Sequence, residues 1–192
     1  MAISDSEAPT DIELDNTSFT ENEAGAVVGT LSIPGAGSGT PTTPLASLSL
    51  SALDGTNGFR LDGVDESDKS GYSVSSAGDV NGDGYGDIII GTYSVHKYIN
   101  SYAGESYVVF GKGSGFSASL DLSSLDGSTG FRLNGVDAYD YSGRSVSSAG
   151  DVNGDGYGDI IIGAYKATPD GNSYAGKSYV VFGKTSGWSS DL

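Results

Sequence analysis

The stretch SVSSAGDVNGDGYGDIIIG occupies residues 73–91 and returns letter for letter at residues 145–163. The two copies lie 72 residues apart, and residues 48–119 align with residues 120–191 without a gap, leaving roughly 51 of 72 positions identical. A fixed period of this kind is typical of repeat architectures and not of two unrelated domains. The sequence therefore predicts one structural unit that is built twice.

Each copy carries oxygen-bearing side chains at alternate positions of a glycine-rich loop. Ca²⁺ takes about six to eight oxygen ligands, and a short loop supplies them when alternate side chains turn inward. The tyrosine of each loop would contribute its backbone carbonyl. The predicted ligands are Asp79, Asn81, Asp83, Tyr85, Asp87, Asp151, Asn153, Asp155, Tyr157 and Asp159. The sequence thus predicts two Ca²⁺ ions per chain.

Other interpretations of the loop are weaker. Asp, Asn and Gly also form simple turns, but three carboxylates so close together repel one another in the absence of a cation. Mg²⁺ prefers a rigid octahedral site with retained waters. A helical EF-hand would need a Glu where Ile90 and Ile162 stand, and a β-rich run follows instead of a helix. We therefore expect a calcium loop that joins two strands.

The apolar pattern of one repeat predicts four short strands separated by turns rich in Gly and Asp. The continuous runs at residues 88–90 and 108–110 suit strands that are covered on both faces. Four antiparallel strands per repeat form the blade of a β-propeller, so the predicted fold class is all-β. The predicted strands cover residues 72–79, 87–93, 106–111 and 130–136.

The same segments resemble the FG-GAP repeats of integrin α-subunit propellers and their bacterial relatives. SGYSVSSAGDVNGDGYGDIIIG is followed by AGESYVVFGK, and SGRSVSSAGDVNGDGYGDIIIG by AGKSYVVFGK. Phe110-Gly111 and Phe182-Gly183 supply the "FG", whereas the "GAP" element lacks its proline and reads GTY at 91–93 and GAY at 163–165. The resemblance covers residues 45–192. It implies calcium in the loops, an extracellular or cell-surface setting, and an adhesive or structural role.

The amino-terminal part of the chain has a different pattern. Residues 1–32 contain a stretch that resembles the opening two strands of bacterial cadherin-like modules, and residues 33–44 are predicted to be a linker. A two-stranded hairpin is marginally stable alone in water. We therefore expect residues 9–32 to dock on another chain or on a blade edge, with a disordered tail as the alternative.

Composition narrows the choice of function. The formal net charge is −16, and the nine Lys and Arg residues form no basic stripe, which argues against nucleic acid and anionic membranes as partners. Cysteine is absent, and no run of 18 apolar residues is available for membrane insertion. The amino terminus lacks the pattern of a secretory signal, so export is expected through a removed signal or another route. The single histidine, His96, offers no catalytic triad, and no enzyme is predicted.

The phase of the repeats predicts a homo-oligomer. A lone fourth strand at residues 58–64 precedes the first set of three, whereas the set at 142–183 has no fourth strand after it. Head-to-tail strand exchange between copies would give a trimer of six blades, a tetramer of eight, or a filament, and a truncated chain is the rival account. An alternative function is the binding of glycans or small ligands. Its candidate stacking residues are Tyr98, Tyr139, Tyr141, Phe116 and Trp188.

Overall fold

The computed structural model of the chain describes residues 48–93 and 102–192 in full, and also two short strands nearer the amino terminus. Backbone contacts divide the chain into the units Met1–Leu48 and Ser49–Leu192. In the first unit, β1 (Glu13–Leu14) pairs antiparallel with β2 (Leu31–Ser32). The predicted linker at 33–44 lies outside the described residues, and the cadherin-like resemblance remains a prediction.

The second unit consists of strands, connecting turns and three short 3₁₀ segments in the part that the structure describes. The 3₁₀ segments span Leu50–Ala52, Leu122–Ser124 and Pro169–Gly171. The strands are β3 (Arg60–Asp62), β4 (Ser73–Gly78), β5 (Asp87–Thr92), β6 (Glu105–Val109), β7 (Ser119–Asp121), β8 (Gly130–Asn134), β9 (Ser142–Gly150), β10 (Asp159–Ala164) and β11 (Lys177–Val181).

The first blade is a four-stranded antiparallel sheet in the order β4-β5-β6-β8. Its centre pairs Ile89 with Val108 and Ile90 with Tyr107, which are residue types that favour a buried pleated surface. All four predicted strands are present, and their ends differ by at most two residues from the predicted bounds. The prediction of an all-β fold of propeller blades is confirmed.

The outer strand of the first blade comes from the start of the second repeat. β8 pairs with β6 from Glu105 opposite Asn134 to Val109 opposite Gly130. The chain therefore reaches the outer edge of one blade just before it enters the next blade. This connection links the two repeats through a continuous backbone ladder.

The second blade has three described strands, in the order β11-β10-β9. Within the described residues, no strand pairs with the other edge of β11. β3, the repeat counterpart of β8, pairs in parallel with β7 from Arg60 opposite Ser119 to Asp62 opposite Asp121. The equivalent bridge in the next repeat joins Arg132 to Asp191. β3 is thus an outer strand whose own blade is absent from the described chain.

The main core lies between the two blades. Ile160 of the second blade belongs to this core and is fully buried. The fully buried residues on the side of the first blade are Val80, Ile89, Val108 and, on its outer strand β8, Phe131. The ring of Phe131 also stacks on Trp188 with centroids 4.2 Å apart and an interplanar angle of 6°. A second cluster lies on the other face of the first blade and covers it in part, and it contains Ile90, Tyr107, Val109, Leu122 and Leu125.

Close approach of the blades requires two glycines. A Cβ atom at Gly91 would collide with the carbonyl oxygen of Gly143, and one at Gly104 would collide with the carbonyl oxygen of Ser142. Any larger residue at these positions would force the blades apart, because the clashing atoms belong to the backbone and cannot move away by a change of rotamer. The glycines therefore serve packing between the blades.

We predict that Phe131→Ala lowers the free energy of unfolding by about 3–5 kcal/mol, because it empties a fully buried site. Phe59→Ala is the matched control. Phe59 occupies the same repeat position and stacks on Phe116 with centroids 4.4 Å apart, but it is only half-buried. Phe59→Ala should lower the free energy of unfolding by about 1–2 kcal/mol. Urea unfolding in dilute solution measures both values, and equal losses would contradict the burial of Phe131 between blades.

Candidate metal centre

The two predicted calcium loops connect the first and second strands of their blades. Residues 79–86 follow β4 and lead into β5, and residues 151–158 follow β9 and lead into β10. Gly82 and Gly84 adopt φ values of 73° and 88°, a region that favours glycine. The expectation of a loop that joins two strands is confirmed for both copies.

The first carboxylate of the first loop organises the turn. One Asp79 oxygen accepts hydrogen bonds from the backbone N–H groups of Gly82 at 2.7 Å and Asp83 at 3.1 Å, and the other accepts from Gly84 at 2.9 Å. Asp83 accepts from the N–H of Tyr85 at 2.9 Å. These contacts wrap the backbone around the carboxylates in the manner of successive Asx turns.

The second loop has the same hydrogen bonds. Asp151 accepts from Gly154 at 2.7 Å, from Asp155 at 3.0 Å and from Gly156 at 2.9 Å. The loop flanks differ in burial, since Val80 is fully buried and its counterpart Val152 is exposed. The conformation is therefore set by the local sequence and not by the neighbouring blade.

The last carboxylate of each loop is buried and ties the loop to the third strand. Asp87 accepts hydrogen bonds from the N–H of Val80 at 2.7 Å and from that of Gly111 at 2.8 Å. Burial raises the pKa of the Asp87 carboxyl above its ordinary value, and the charges of Asp83 and Asp79 act in the same direction. The two amide donors oppose this rise in pKa. Asp87 is thus a structural anchor whatever else it binds.

The glycine of each "FG" pair has a structural role at the loop that the sequence analysis did not identify. Gly183 donates to Asp159 at 2.9 Å, just as Gly111 donates to Asp87, and Val152 supplies the second donor to Asp159 at 2.7 Å. The recurrence of Phe-Gly after each third strand was the available signal. Its role is to present a backbone N–H to the loop carboxylate.

The loop residues fit a hard cation by their chemistry. Their side-chain donors are carboxylate and amide oxygens, which Ca²⁺ prefers. None of the loop carboxylates forms an ion pair with Lys or Arg in the part of the chain that the structure describes. Within the same residues, no three carboxylate, imidazole or thiolate groups converge on one point, because the carboxylates face backbone amides. The assignment of the ten ligands therefore remains a prediction.

The aromatic residues that were predicted to stack on a ligand lie in different environments. Phe116 packs on Phe59, and Trp188 packs on Phe131 while its Nε1–H donates to the Lys184 carbonyl at 2.9 Å. Tyr139 and Tyr141 lie in a tyrosine cluster, each with its ring centroid within 5.8 Å of that of Tyr102. Tyr98 and His96 lie outside the described residues. Phe116 and Trp188 therefore each stack on another aromatic ring of the same chain.

The sequence matches the FG-GAP repeat family at residues 70–109 and 142–181. The first match begins just before β4 and the second begins with β9, and each ends with the third strand of its blade. The chain therefore carries two FG-GAP repeats, each folded as a β-propeller blade. The resemblance to integrin-type repeats is confirmed.

Curated relatives contain the same kind of segment within much longer proteins. The chain is 30% identical over 120 residues to bovine phosphatidylinositol-glycan-specific phospholipase D and 32% identical over 120 residues to the human protein of that name. It is 32% identical over 105 residues to integrin alpha pat-2 of Caenorhabditis elegans. The matches cover 61%, 61% and 55% of this chain, but only 14%, 14% and 8% of those proteins.

The repeats relate the chain to proteins outside the cell and at the cell surface. FG-GAP repeats occur in extracellular and cell-surface proteins, among them the integrin named above. In residues 48–93 and 102–192 and the two short amino-terminal strands, no helix is long and apolar enough to cross a membrane. The coarse identity is therefore a propeller module of the extracellular type.

We predict that Asp87→Asn and Asp159→Asn each lower the free energy of unfolding by about 1–3 kcal/mol in the presence of chelator. An amide nitrogen cannot accept the second backbone N–H, so one buried donor is left unsatisfied. The exposed Asp83→Asn is the control and should change stability by less than about 0.5 kcal/mol under the same conditions. Denaturant unfolding in EDTA measures all three, and an unaffected Asp87→Asn variant would contradict the anchor role.

Proposed function

We propose that the chain is a calcium-binding adhesion or assembly module of an extracellular protein, and that it acts without catalysis. The observation that carries this proposal is the pair of identical acidic loops, each of which joins two strands of a blade. Each loop carries three carboxylates in its sequence, and none of them has a basic partner in the described part of the chain. One Ca²⁺ per loop would supply the missing positive charge.

Ca²⁺ would stabilise the folded chain by binding groups that are apart in the unfolded chain. Asp79, Asn81 and Asp83 would serve as side-chain ligands in the first loop, with the carbonyl of Tyr85 and the carboxylate of Asp87. The corresponding ligands of the second loop are Asp151, Asn153, Asp155, Tyr157 and Asp159. A net charge of −16 without cysteine leaves bound cations as the available cross-links.

The proposed partners are other copies of the same chain, joined head to tail through blade edges as a ring or filament. Other extracellular proteins and glycans are further partners of the kind that adhesive modules contact. The described strands β1 and β2 form a minimal antiparallel pair. Donation of strands from residues 9–32 to a neighbouring chain is part of the proposal, because such a hairpin gains stability by joining a larger sheet.

A non-catalytic role is proposed because FG-GAP repeat modules are typically non-catalytic. The activity for which the phospholipase D relatives are named belongs to those proteins, of which this chain matches 14%. The glycan-binding alternative has less support than assembly. Two of its five aromatic side chains, Phe116 and Trp188, are already stacked within the fold. A glycan array that reports specific binding would favour that alternative.

We predict that calcium raises the melting temperature. Extracellular sites typically bind with dissociation constants of about 10⁻⁴–10⁻³ M. Occupancy at 100 times the dissociation constant would add about 2.7 kcal/mol per site, which corresponds to roughly 5–10 °C per site for a chain of this size. Calorimetric titration should give two sites per chain.

The matched variants are Asp83→Ala and Asp155→Ala, which alter the same position of the two repeats. Each should reduce the stoichiometry by one site, and the double variant should lose the calcium response. An unchanged melting temperature after addition of chelator would refute the calcium proposal. Mg²⁺ at equal concentration is the control for a general effect of ionic strength.

We predict that removal of residues 1–44 changes the size of the assembled protein, because it removes the strands proposed for donation. Light scattering coupled to size-exclusion chromatography measures this size. Hydrogen exchange on the full chain provides the second readout. Rapid exchange of all amides in residues 9–32 in the assembled state would contradict strand donation.

A further inference from the structure

Among the described residues, the outer face of the second blade is open and the outer face of the first blade carries an open groove. They are the repeat counterparts of the two faces that are buried in the main core. We propose that the outer face of the second blade docks on the outer face of the first blade of another copy, and that β3 of that copy completes the three-stranded sheet. This inference rests on the self-association in the proposed function and deepens it. It assigns the two surfaces and the register of the pairing.

The open face of the second blade is apolar. In the first blade, Val80, Val108 and Phe110 are 0%, 0% and 7% exposed, because the second blade covers them. Their counterparts 72 residues later, Val152, Val180 and Phe182, are 58%, 44% and 51% exposed. The local structure is the same, so the difference arises because no further blade covers the second blade within the described residues. A grouped set of large apolar side chains of this kind marks an interaction surface.

The open face of the first blade matches this surface. Inside the chain, Phe110 packs near Phe131 and Trp188, with ring centroids 5.8 and 6.1 Å away. The counterparts of those two rings are Phe59 and Phe116, which line an open groove together with Tyr85 and Ile88. Phe182 of another copy would therefore pack near Phe59 and Phe116, as Phe110 packs near Phe131 and Trp188 within the chain.

The strand edges also match. The edge of β11 corresponds to that of β6, and β3 corresponds to β8. Internal pairing sets Glu105 opposite Asn134 and Tyr107 opposite Arg132. Transfer of this register to the contact between copies sets Lys177 opposite Asp62 and Tyr179 opposite Arg60. The contact would repeat a junction that the chain already forms once.

The charges favour this pairing and disfavour the wrong one. The internal pair joins Glu105 to a neutral Asn134, whereas the proposed pair joins Lys177 to Asp62, so both repeat positions differ in a compensating way. Opposite charges on directly facing strands are stabilising, and like charges are destabilising. Pairing of β3 with β6 would place Asp62 opposite Glu105. The charge pattern therefore directs β3 to β11 of another copy.

The backbone contacts of the internal junction are also available. Gly158 donates its N–H to the carbonyl of Asp79 at 2.8 Å, and Lys184 donates its N–H to the carbonyl of Val80 at 2.9 Å. The repeat counterparts of these four residues are Gly86, Asp151, Lys112 and Val152. Main-chain groups do not change with sequence, so the contact between copies can form the same two hydrogen bonds.

The proposed contact joins two different surfaces and is therefore heterologous. Repetition of a heterologous contact closes a ring or extends a filament, whereas two copies joined through the same surface would form a two-fold dimer. A ring and a filament both support the inference. A monomer, or an assembly that stops at a two-fold dimer, overturns it.

The absence of cysteine allows a direct test of the register. Facing Cα atoms in antiparallel strands lie about 4.5–5.5 Å apart, which suits a disulfide. We expect mild oxidation of mixed Lys177→Cys and Asp62→Cys chains to give a cross-linked dimer, with neither variant forming it alone. Chains that carry both substitutions should give a ladder of covalent oligomers. Cross-linking within either single variant, or none in the mixture, would overturn the register.

A second set of variants tests the forces. Lys177→Glu introduces the residue that stands at the same position of the first repeat, and it should weaken association about two- to tenfold. Adding Asp62→Lys to the same chain should bring association back to its original strength. Val180→Asp should weaken association at least about 30-fold. Analytical ultracentrifugation measures these changes, and an unchanged Val180→Asp assembly would overturn the inference. Calcium calorimetry on the Val180→Asp chain separates the proposals, because loss of assembly with two intact calcium sites concerns the junction alone.

Discussion

The structure depends on the pairing of β6 with β8, because this ladder makes the first blade complete only after the chain has begun its second repeat. Glu105 to Val109 pair with residues 130–134, which lie at the entrance to the second blade. Long-range pairing of this type costs loop entropy before it forms hydrogen bonds. The buried Phe131 on β8 offsets that cost by packing between the blades. The same strand thus closes one sheet and positions the next.

The acidic loops show how one sequence can serve folding and binding. Asp79 uses both oxygens to order the backbone of its own loop, and Asp87 joins the loop to the third strand through Gly111. A carboxylate oxygen has more than one lone pair, so a hydrogen bond to an amide leaves capacity for another ligand. The loop frame therefore exists through local hydrogen bonds. In the proposed function, a cation adds charge neutralisation to this frame.

The sequence predicted much of the fold because it repeats. Four strands of the first blade and both loops followed from the apolar pattern and from the nineteen shared letters. The burial of individual side chains could not be predicted from the repeated sequence. Val80 and Val152 stand in the same local sequence, yet one is buried and the other exposed, because only tertiary neighbours distinguish them. The repeated arginines show the same limit. Arg132 forms an ion pair with Asp191 at the far end of the same repeat at 2.6 Å, whereas Arg60 forms one with Asp62 of its own strand at 2.6 Å.

The two proposals are physically coupled because the loops lie beside the junction between blades. The carbonyl of Asp79 accepts from Gly158, and Tyr157 of the second loop lies against Gly82 of the first. In a contact between copies, the second loop of one chain would face the first loop of the next. Approach of two chains with a net charge of −16 each brings acidic loops together. Bound calcium would remove part of that repulsion. Occupancy of the loops should therefore strengthen association between copies, although the calcium ions do not form part of the apolar contact.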